Sequence, residues 1–293
     1  MPFPSISRIR QAAVLSSCAG LVLALSACVP ASVPADPSPS KSTSNALPNA
    51  HVHGLSVRGD TDQVLLATHD GLFDVTKRPA TKIGATNDLM GFTAGQDRGI
   101  FYASGHPGKG SGLPNPLGLI RSSDGGKTWE QLSRQGESDF HALTTTKSGI
   151  VAFDGTLRTS PDGKTWKTVA ADFAPAGLAG TPSSDTVLAT TPGGLQRSTD
   201  GGATWTADAS APVIQFAAFA SAGAAFGVEP DGAVHYSSDG GATWTRKGLI
   251  NDEVQAIAAT VDADGTPRIW AATADGIVVS TDDGATFQPT GTR

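Results

Sequence analysis

Ser122-Ser123-Asp124-Gly125-Gly126-Lys127-Thr128-Trp129 is the stretch on which the fold turns, because the chain writes it again and again. It returns as Ser198-Thr199-Asp200-Gly201-Gly202-Ala203-Thr204-Trp205 and as Ser237-Ser238-Asp239-Gly240-Gly241-Ala242-Thr243-Trp244. A shortened copy is Ser160-Pro161-Asp162-Gly163-Lys164-Thr165-Trp166, and the last is Ser280-Thr281-Asp282-Asp283-Gly284-Ala285-Thr286-Phe287. The closing aromatics at 129, 166, 205, 244 and 287 stand 37, 39, 39 and 43 residues apart. A fixed period of that size marks a repeat architecture whose units stack on one another. Within each octet the chemistry is that of a hairpin. A short hydroxyl and a carboxylate satisfy the turn's own N–H groups, glycine takes the left-handed backbone, and the aromatic buries a flat face.

The octets resemble the Asp-box, or BNR repeat, S-x-D-x-G-x-T-W. The resemblance implies turn staples rather than catalytic aspartates. Between the octets the pattern is short alternating strands. In the third unit these are Phe140–Leu143, Gly149–Phe153, Gly155–Thr159 and Thr165–Val169, separated by turn residues. Six units follow, at about 50–84, 85–135, 136–171, 172–210, 211–248 and 249–293. The first lacks a complete octet, but Val64–Thr68 and Gly71–Val75 fit its second and third strands. Four-stranded units repeated radially predict an all-β propeller of six blades, with seven as the alternative.

Composition agrees. Of 293 residues, 16% are charged and 35 are glycine, against a soluble average of roughly 25% charged. That excludes a coiled coil and an acidic disordered chain. A net charge of -6 with no run of Lys and Arg gives no electrostatic footprint for nucleic acid.

The first 49 residues read differently. Arg8 and Arg10 precede an apolar run ending in Leu25-Ser26-Ala27-Cys28. This is a secretory signal whose end resembles a bacterial lipobox, which implies cleavage after residue 27 and lipidation of Cys28. Leu15-Ser16-Ser17-Cys18 is a rival box with a shorter apolar region. No later stretch is long enough for a spanning helix. With Cys18 removed and Cys28 lipidated, no disulfide is expected despite the oxidising compartment. Residues 29–49, rich in Pro, Ser and Ala, read as a flexible tether. The expected protein is extracytoplasmic and held to the bacterial cell membrane through Cys28, with the folded domain at 50–293.

In a propeller blade the innermost strand A begins at the end of the molecule opposite the C–D hairpins, and the octets are C–D hairpins. Five of the six histidines then fall on the octet-free end. His51 and His53 open strand A of blade one, and His141 matches His53 in blade three. Met90 holds that place in blade two. His69 and His106 follow strand B of blades one and two. The long loop 106–117 sits at the same end. Asp70, Asp88, Glu137, Asp139 and Asp154 are candidate neighbours, of which Asp70, Glu137, Asp139 and Met90 are the candidate ligand-binding residues. Converging imidazoles suit Zn or Cu, and a thioether in the ring leans toward Cu(I). His51, His53, His69, His106 and His141 are therefore the candidate metal ligands. His235 reads as an ordinary strand residue.

Asp-box propellers resemble sialidases, which implies an arginine triad, a tyrosine nucleophile and acid–base carboxylates. The inventory departs from that pattern. Arg121, Arg158 and Arg197 directly precede octets, only Arg134 suits the opposite end, and the tyrosines are Tyr102 in a strand and Tyr236 before an octet. Glu137, Asp139, Glu229 and Glu253 remain as carboxylates for another glycosidase. A nearer resemblance is to a group of bacterial Asp-box lipoproteins named glycosyl hydrolases. It is carried by His51-Val52-His53-Gly54-Leu55, Thr68-His69-Asp70-Gly71-Leu72-Phe73, Ser104-Gly105-His106-Pro107-Gly108 and Asp139-Phe140-His141-Ala142-Leu143. Propellers of the photosystem-assembly and sortilin types share the octet as binding platforms. The expected function is binding of a metal ion, protein or glycan at a His-rich mouth, with a sialidase-like glycoside hydrolase as the alternative.

Overall fold

The computed structural model describes residues 47–48 and 50–290. The signal segment, Cys28 and the tether up to residue 46, with residue 49, lie outside the described residues, as do 291–293.

The described residues form six four-stranded antiparallel sheets, each built from consecutive strands. Blade one holds β1 (Val52–Arg58), β2 (Gln63–Thr68), β3 (Gly71–Asp74) and β4 (Thr81–Ile83). Blade two holds β5 (Asp88–Ala94), β6 (Phe101–His106), β7 (Leu119–Ser122) and β8 (Glu130–Ser133). Blade three is β9 (Ala142–Thr146), β10 (Gly149–Phe153), β11 (Leu157–Ser160) and β12 (Lys167–Thr168). Blade four is β13 (Gly177–Ala179), β14 (Val187–Thr191), β15 (Gly194–Ser198) and β16 (Thr206–Asp208). Blade five is β17 (Phe216–Phe219), β18 (Ala225–Val228), β19 (Ala233–Ser237) and β20 (Thr245–Leu249). Blade six is β21 (Val254–Val261), β22 (Pro267–Thr273), β23 (Gly276–Ser280) and β24 (Gln288–Pro289). The A strands β1, β5, β9, β13, β17 and β21 are neighbours in that order, and β21 returns to β1. The result is a closed six-bladed propeller; seven blades, the alternative on sequence, is not what forms.

The cores lie between the blades. Trp129 packs with Leu65, Leu72 and Phe101 between blades one and two, and Trp166 with Phe140 and Leu143 between two and three. Trp205, Trp244 and Phe287 fill the next three seams in the same way. Each octet aromatic thus faces the preceding blade. Blade one has no complete octet, so the seam between six and one is built differently. There Trp270 of β22 packs with Val52, Leu66 and Ile277, and Leu47 from the end of the tether region joins them. An ion pair from Arg268 to Asp62 (3.2 Å) crosses the same seam.

The octets are closed turns. Gly126 N–H donates to Ser122 Oγ (2.8 Å), Thr128 N–H to Asp124 Oδ1 (2.9 Å) and Thr128 Oγ1 to Asp124 Oδ2 (2.7 Å). The other four repeat this set. Gly126 has φ +88°, and a Cβ there would lie 2.2 Å from Leu72 Cδ2, so only glycine lets the turn sit on blade one. Hydrogen bonds from Thr128 hold the Asp124 carboxyl down at about 2. Asp162, Asp239 and Asp282 are held at about 2 by their own turns.

In the third unit, strand B falls where the pattern put it. Strand A begins two residues later than Phe140, at Ala142, because Phe140 leaves the ladder. Its ring is fully buried against Trp166 (4.9 Å), and its N–H donates to Ser104 Oγ (2.9 Å) on blade two.

Candidate functional site

A central cavity of about 460 Å³ opens along the A strands. His53, Met90, His141, Ala176, Gln215 and Gln255 line it, one from each blade at the same place relative to strand A. Three of them owe their aim to backbone irregularity. The register of β1 against β2 shifts at His53, that of β5 against β6 at Met90, and that of β21 against β22 at Gln255. A bulge inserts a residue and redirects its side chain. Below this ring Leu55, Phe92, Leu143, Leu178 and Ile257 make the wall apolar.

His51, His53 and His69 meet at the edge of the cavity. Their ring centroids lie 4.8, 5.4 and 4.4 Å apart, and one nitrogen from each falls within a set no wider than 4.8 Å. His51 immediately precedes β1 and His53 lies within it, and the His69 N–H to His51 carbonyl bond (3.3 Å) sets the third ring beside them. His53 Nε2 lies 3.2 Å from His69 Nδ1. Asp88, the first residue of β5, reaches in from blade two. Its Oδ2 is 2.8 Å from His69 Nδ1 and its Oδ1 is 3.5 Å from His53 Nε2. Asp88 Oδ1 is buried and accepts no hydrogen bond.

The His53 side chain is only 8% exposed. Burial first, then the neighbouring His69, His51 and His141 rings, push its pKa down to about 4 against the pull of Asp88. At neutral pH it is an uncharged imidazole with a lone pair to give, the form in which histidine binds metals.

A second group stands one blade on. Asp139 Oδ2 lies 2.7 Å from His141 Nε2 and 3.2 Å from His106 Nε2. Asp139 Oδ1 is buried without a hydrogen-bond partner. His106 is oriented from behind by Asn115 Oδ1, 2.7 Å from its Nδ1. The long loop that carries Asn115 is pinned at its start, where Gly108 N–H donates to Asn87 Oδ1 (3.0 Å). A Cβ at Gly108 would fall 1.8 Å from the Thr86 carbonyl oxygen.

The other candidates stand apart from these groups. Asp70 is exposed in the turn after His69, with its N–H donating to Thr68 Oγ1 (3.1 Å). Glu137 is exposed and pairs with Arg134 (3.5 Å). Asp154 is a buried anchor for Arg158 (3.1 Å) and Ser138 (2.6 Å). Met90 lines the cavity between His53 and His141. His235, expected to be an ordinary strand residue, is buried in β19 with its Nε2 2.5 Å from Glu229 Oε1. Asp88 was named only as a neighbour, although it stands two residues before Met90 as Asp139 stands before His141. Asn115 was not singled out, and no local pattern marks it.

The arginines of a sialidase-like site do not gather here. Arg121 pairs with Glu130 (2.9 Å), Arg158 with Asp154, and Arg197 donates to the Gly240 carbonyl (2.9 Å). Arg134 lies at the histidine end but is engaged by Glu137 and Asp154.

Comparison with known proteins supports the architecture. The BNR/Asp-box repeat model matches residues 196–207. No curated protein matches the chain. Among solved structures, the chain is similar to the GH74 xyloglucanase from Xanthomonas campestris, with a TM-score of 0.56 and 18% identity over 82% of this chain and 38% of that one. The GH74 enzyme of Niastella koreensis gives 0.55 and 19% over 82% and 37%. A streptogramin B lyase gives 0.51 and 14% over 79% of each chain. The chain spans less than two fifths of the two GH74 enzymes. At these identities the likeness is one of fold.

Proposed function

We propose that this protein is a binding propeller whose mouth takes up a transition-metal ion, Zn or Cu, through His51, His53 and His69. The observation that carries the reading is the convergence of three imidazoles from two segments of blade one, two of which, His53 and His69, meet a carboxylate from blade two. Two ligand atoms about 2.05 Å from a tetrahedral zinc lie about 3.3 Å apart, and His53 Nε2 to His69 Nδ1 is 3.2 Å. Rotation of the exposed His51 ring closes the remaining distance. Asp88 Oδ2 lies on the same His69 nitrogen, Nδ1 (2.8 Å), and so is placed to serve as the fourth ligand once that nitrogen binds the ion. The cavity leaves room for a ligand donor beside the ion. The lipobox supports display of this mouth outside the cytoplasm, on a lipid anchor at Cys28.

Metal analysis and calorimetry of the full-length protein with Zn(II) and Cu(II) test the reading. Tight binding lost in the His53→Ala/His69→Ala variant is the expected result; no uptake by the wild type ends it. A Cys28→Ala variant released from the membrane fraction is the matching result for the anchor. The glycoside-hydrolase alternative rests on fold likeness, and fold does not carry chemistry. Here the carboxylates nearest the cavity, Asp88 and Asp139, are engaged by imidazoles, and Glu229 is engaged by His235.

A further inference from the structure

The two groups at the mouth are related by the blade repeat. In blade one, His51 stands two residues before the cavity residue His53, and His69 follows strand B. Asp88, two residues before the cavity residue of blade two, completes the set. Advancing every position by one blade replaces His51 by Asp88, His53 by Met90, His69 by His106 and Asp88 by Asp139. The backbone agrees: Asp88 pairs with His106 across β5 and β6, as His51 accepts the His69 N–H. The contacts agree as well. Asp139 Oδ2 lies 3.2 Å from the His106 ring as Asp88 Oδ2 lies 2.8 Å from the His69 ring. Each carboxylate keeps one buried oxygen without a hydrogen bond. The second set also gains an imidazole, because blade three has His141 at its cavity position. Gly105 permits this close pairing: with φ +140°, it leaves the Asp88 carbonyl oxygen where a Cβ would come within 2.0 Å.

We propose that the mouth holds two cations, the second bound by His106, His141 and Asp139 one blade on from the first. The inference rests on the metal-binding reading of the first group. The ion is a borderline divalent transition metal such as Zn(II), Co(II) or Cu(II), which accepts imidazole and carboxylate together. In the ion-free arrangement Asp139 Oδ2 is hydrogen-bonded to His141 (2.7 Å) and stands 3.2 Å from His106 Nε2, and a cation bound there displaces the ring protons that face the carboxylate. Asp88 lies between the sets, with one oxygen on His69 and its backbone on His106. It is the group placed to serve both ions. His53 and His141 face one cavity, so both ions present their open positions to the same ligand. The class of ligand this suits is an anion with two oxygen donors, a carboxylate or a phosphate.

The test is metal stoichiometry on the full-length protein, by elemental analysis after dialysis against Co(II) and by Co(II) absorption. The wild type is expected to hold two equivalents. His106→Ala/His141→Ala is expected to hold one, and His51→Ala/His69→Ala to hold the other one. Asp139→Asn, which keeps the volume of the side chain, guards against a folding defect and is expected to lower occupancy of the second site alone. A wild type with one equivalent, untouched by changes at 106, 139 and 141, overturns the second site and leaves the first standing. A wild type with none overturns both.

Discussion

The two ends of this propeller use the same kind of atom in opposite ways. At the Asp-box end, Asp124 receives the N–H and hydroxyl of Thr128 and the hydroxyl of Ser122, all from its own hairpin. Four more hairpins repeat the arrangement, and every bond is local. At the other end, Asp88 and Asp139 each meet an imidazole carried by the preceding blade, His69 and His106, and Asp139 is also bonded by His141. Each keeps a buried oxygen that accepts no hydrogen bond. A carboxylate saturated by its own turn can only stabilise that turn. A carboxylate partly satisfied by titratable rings, beside an open cavity, has capacity left for something that arrives. Repetition marks the scaffold, and departure from the repeat marks the site.

Four experiments break or sharpen that contrast, beginning with the largest effect. Phe140 sits between Asp139 and His141 and is completely buried. Phe140→Ala should cost about 3–5 kcal/mol of stability and should also displace His141, so metal uptake falls together with the denaturation midpoint. Unchanged uptake would show that the ring position is set elsewhere. Ser198→Ala strikes the scaffold alone. It removes the acceptor of the buried Gly202 N–H (2.9 Å), at about 1–3 kcal/mol. Urea unfolding should register the loss while metal affinity stays where it was; a coupled loss of affinity would erase the division between the ends. Asp88→Asn is the mirror experiment. Losing even an outer partner of a metal-bound histidine typically costs 10–100-fold in metal affinity, and loss of a carboxylate ligand should cost at least that much, with little change in stability expected here because the site is at the rim. Calorimetry and unfolding measured side by side decide it.

The fourth effect is one of pH. The folded pKa of His53 is about 4, below the unfolded 6.5. The unfolded chain therefore binds the proton first, and stability falls as pH drops from 6.5 toward 4. The Asp124, Asp162, Asp239 and Asp282 carboxyls have folded values of about 2 against 3.8 unfolded. Their contribution is intact above 3.8 and fades as pH falls through 2. Denaturation of the metal-free protein across this range should show two successive losses, and His53→Ala should remove only the upper one. A flat profile between 6.5 and 4 would place His53 in a more solvated setting.

Much of the scaffold was legible in the sequence. Blade number and the seam position of each octet aromatic follow from a 37-to-43-residue period and from hairpin chemistry contained within eight residues. The sixth seam was not legible. Blade one has no complete octet, and Trp270 and Leu47 fill that seam from segments that carry no repeat signal. For the site, residue types and the shared end of the molecule could be read. Partnership could not. Asp88 and Asp139 hold equivalent places, yet Asp70 and Glu137 are as acidic and as near in sequence, and only the paths of separate blades tell them apart. The aim of His53 and Met90 depends on bulges that no residue type announces.

The sequence alone determined the unit, its turn chemistry and its repetition, because those rest on interactions between residues a few positions apart. Only the tertiary structure decided which imidazole meets which carboxylate. That choice depends on the angle at which one blade is laid against the next, and side-chain packing across the whole seam sets that angle.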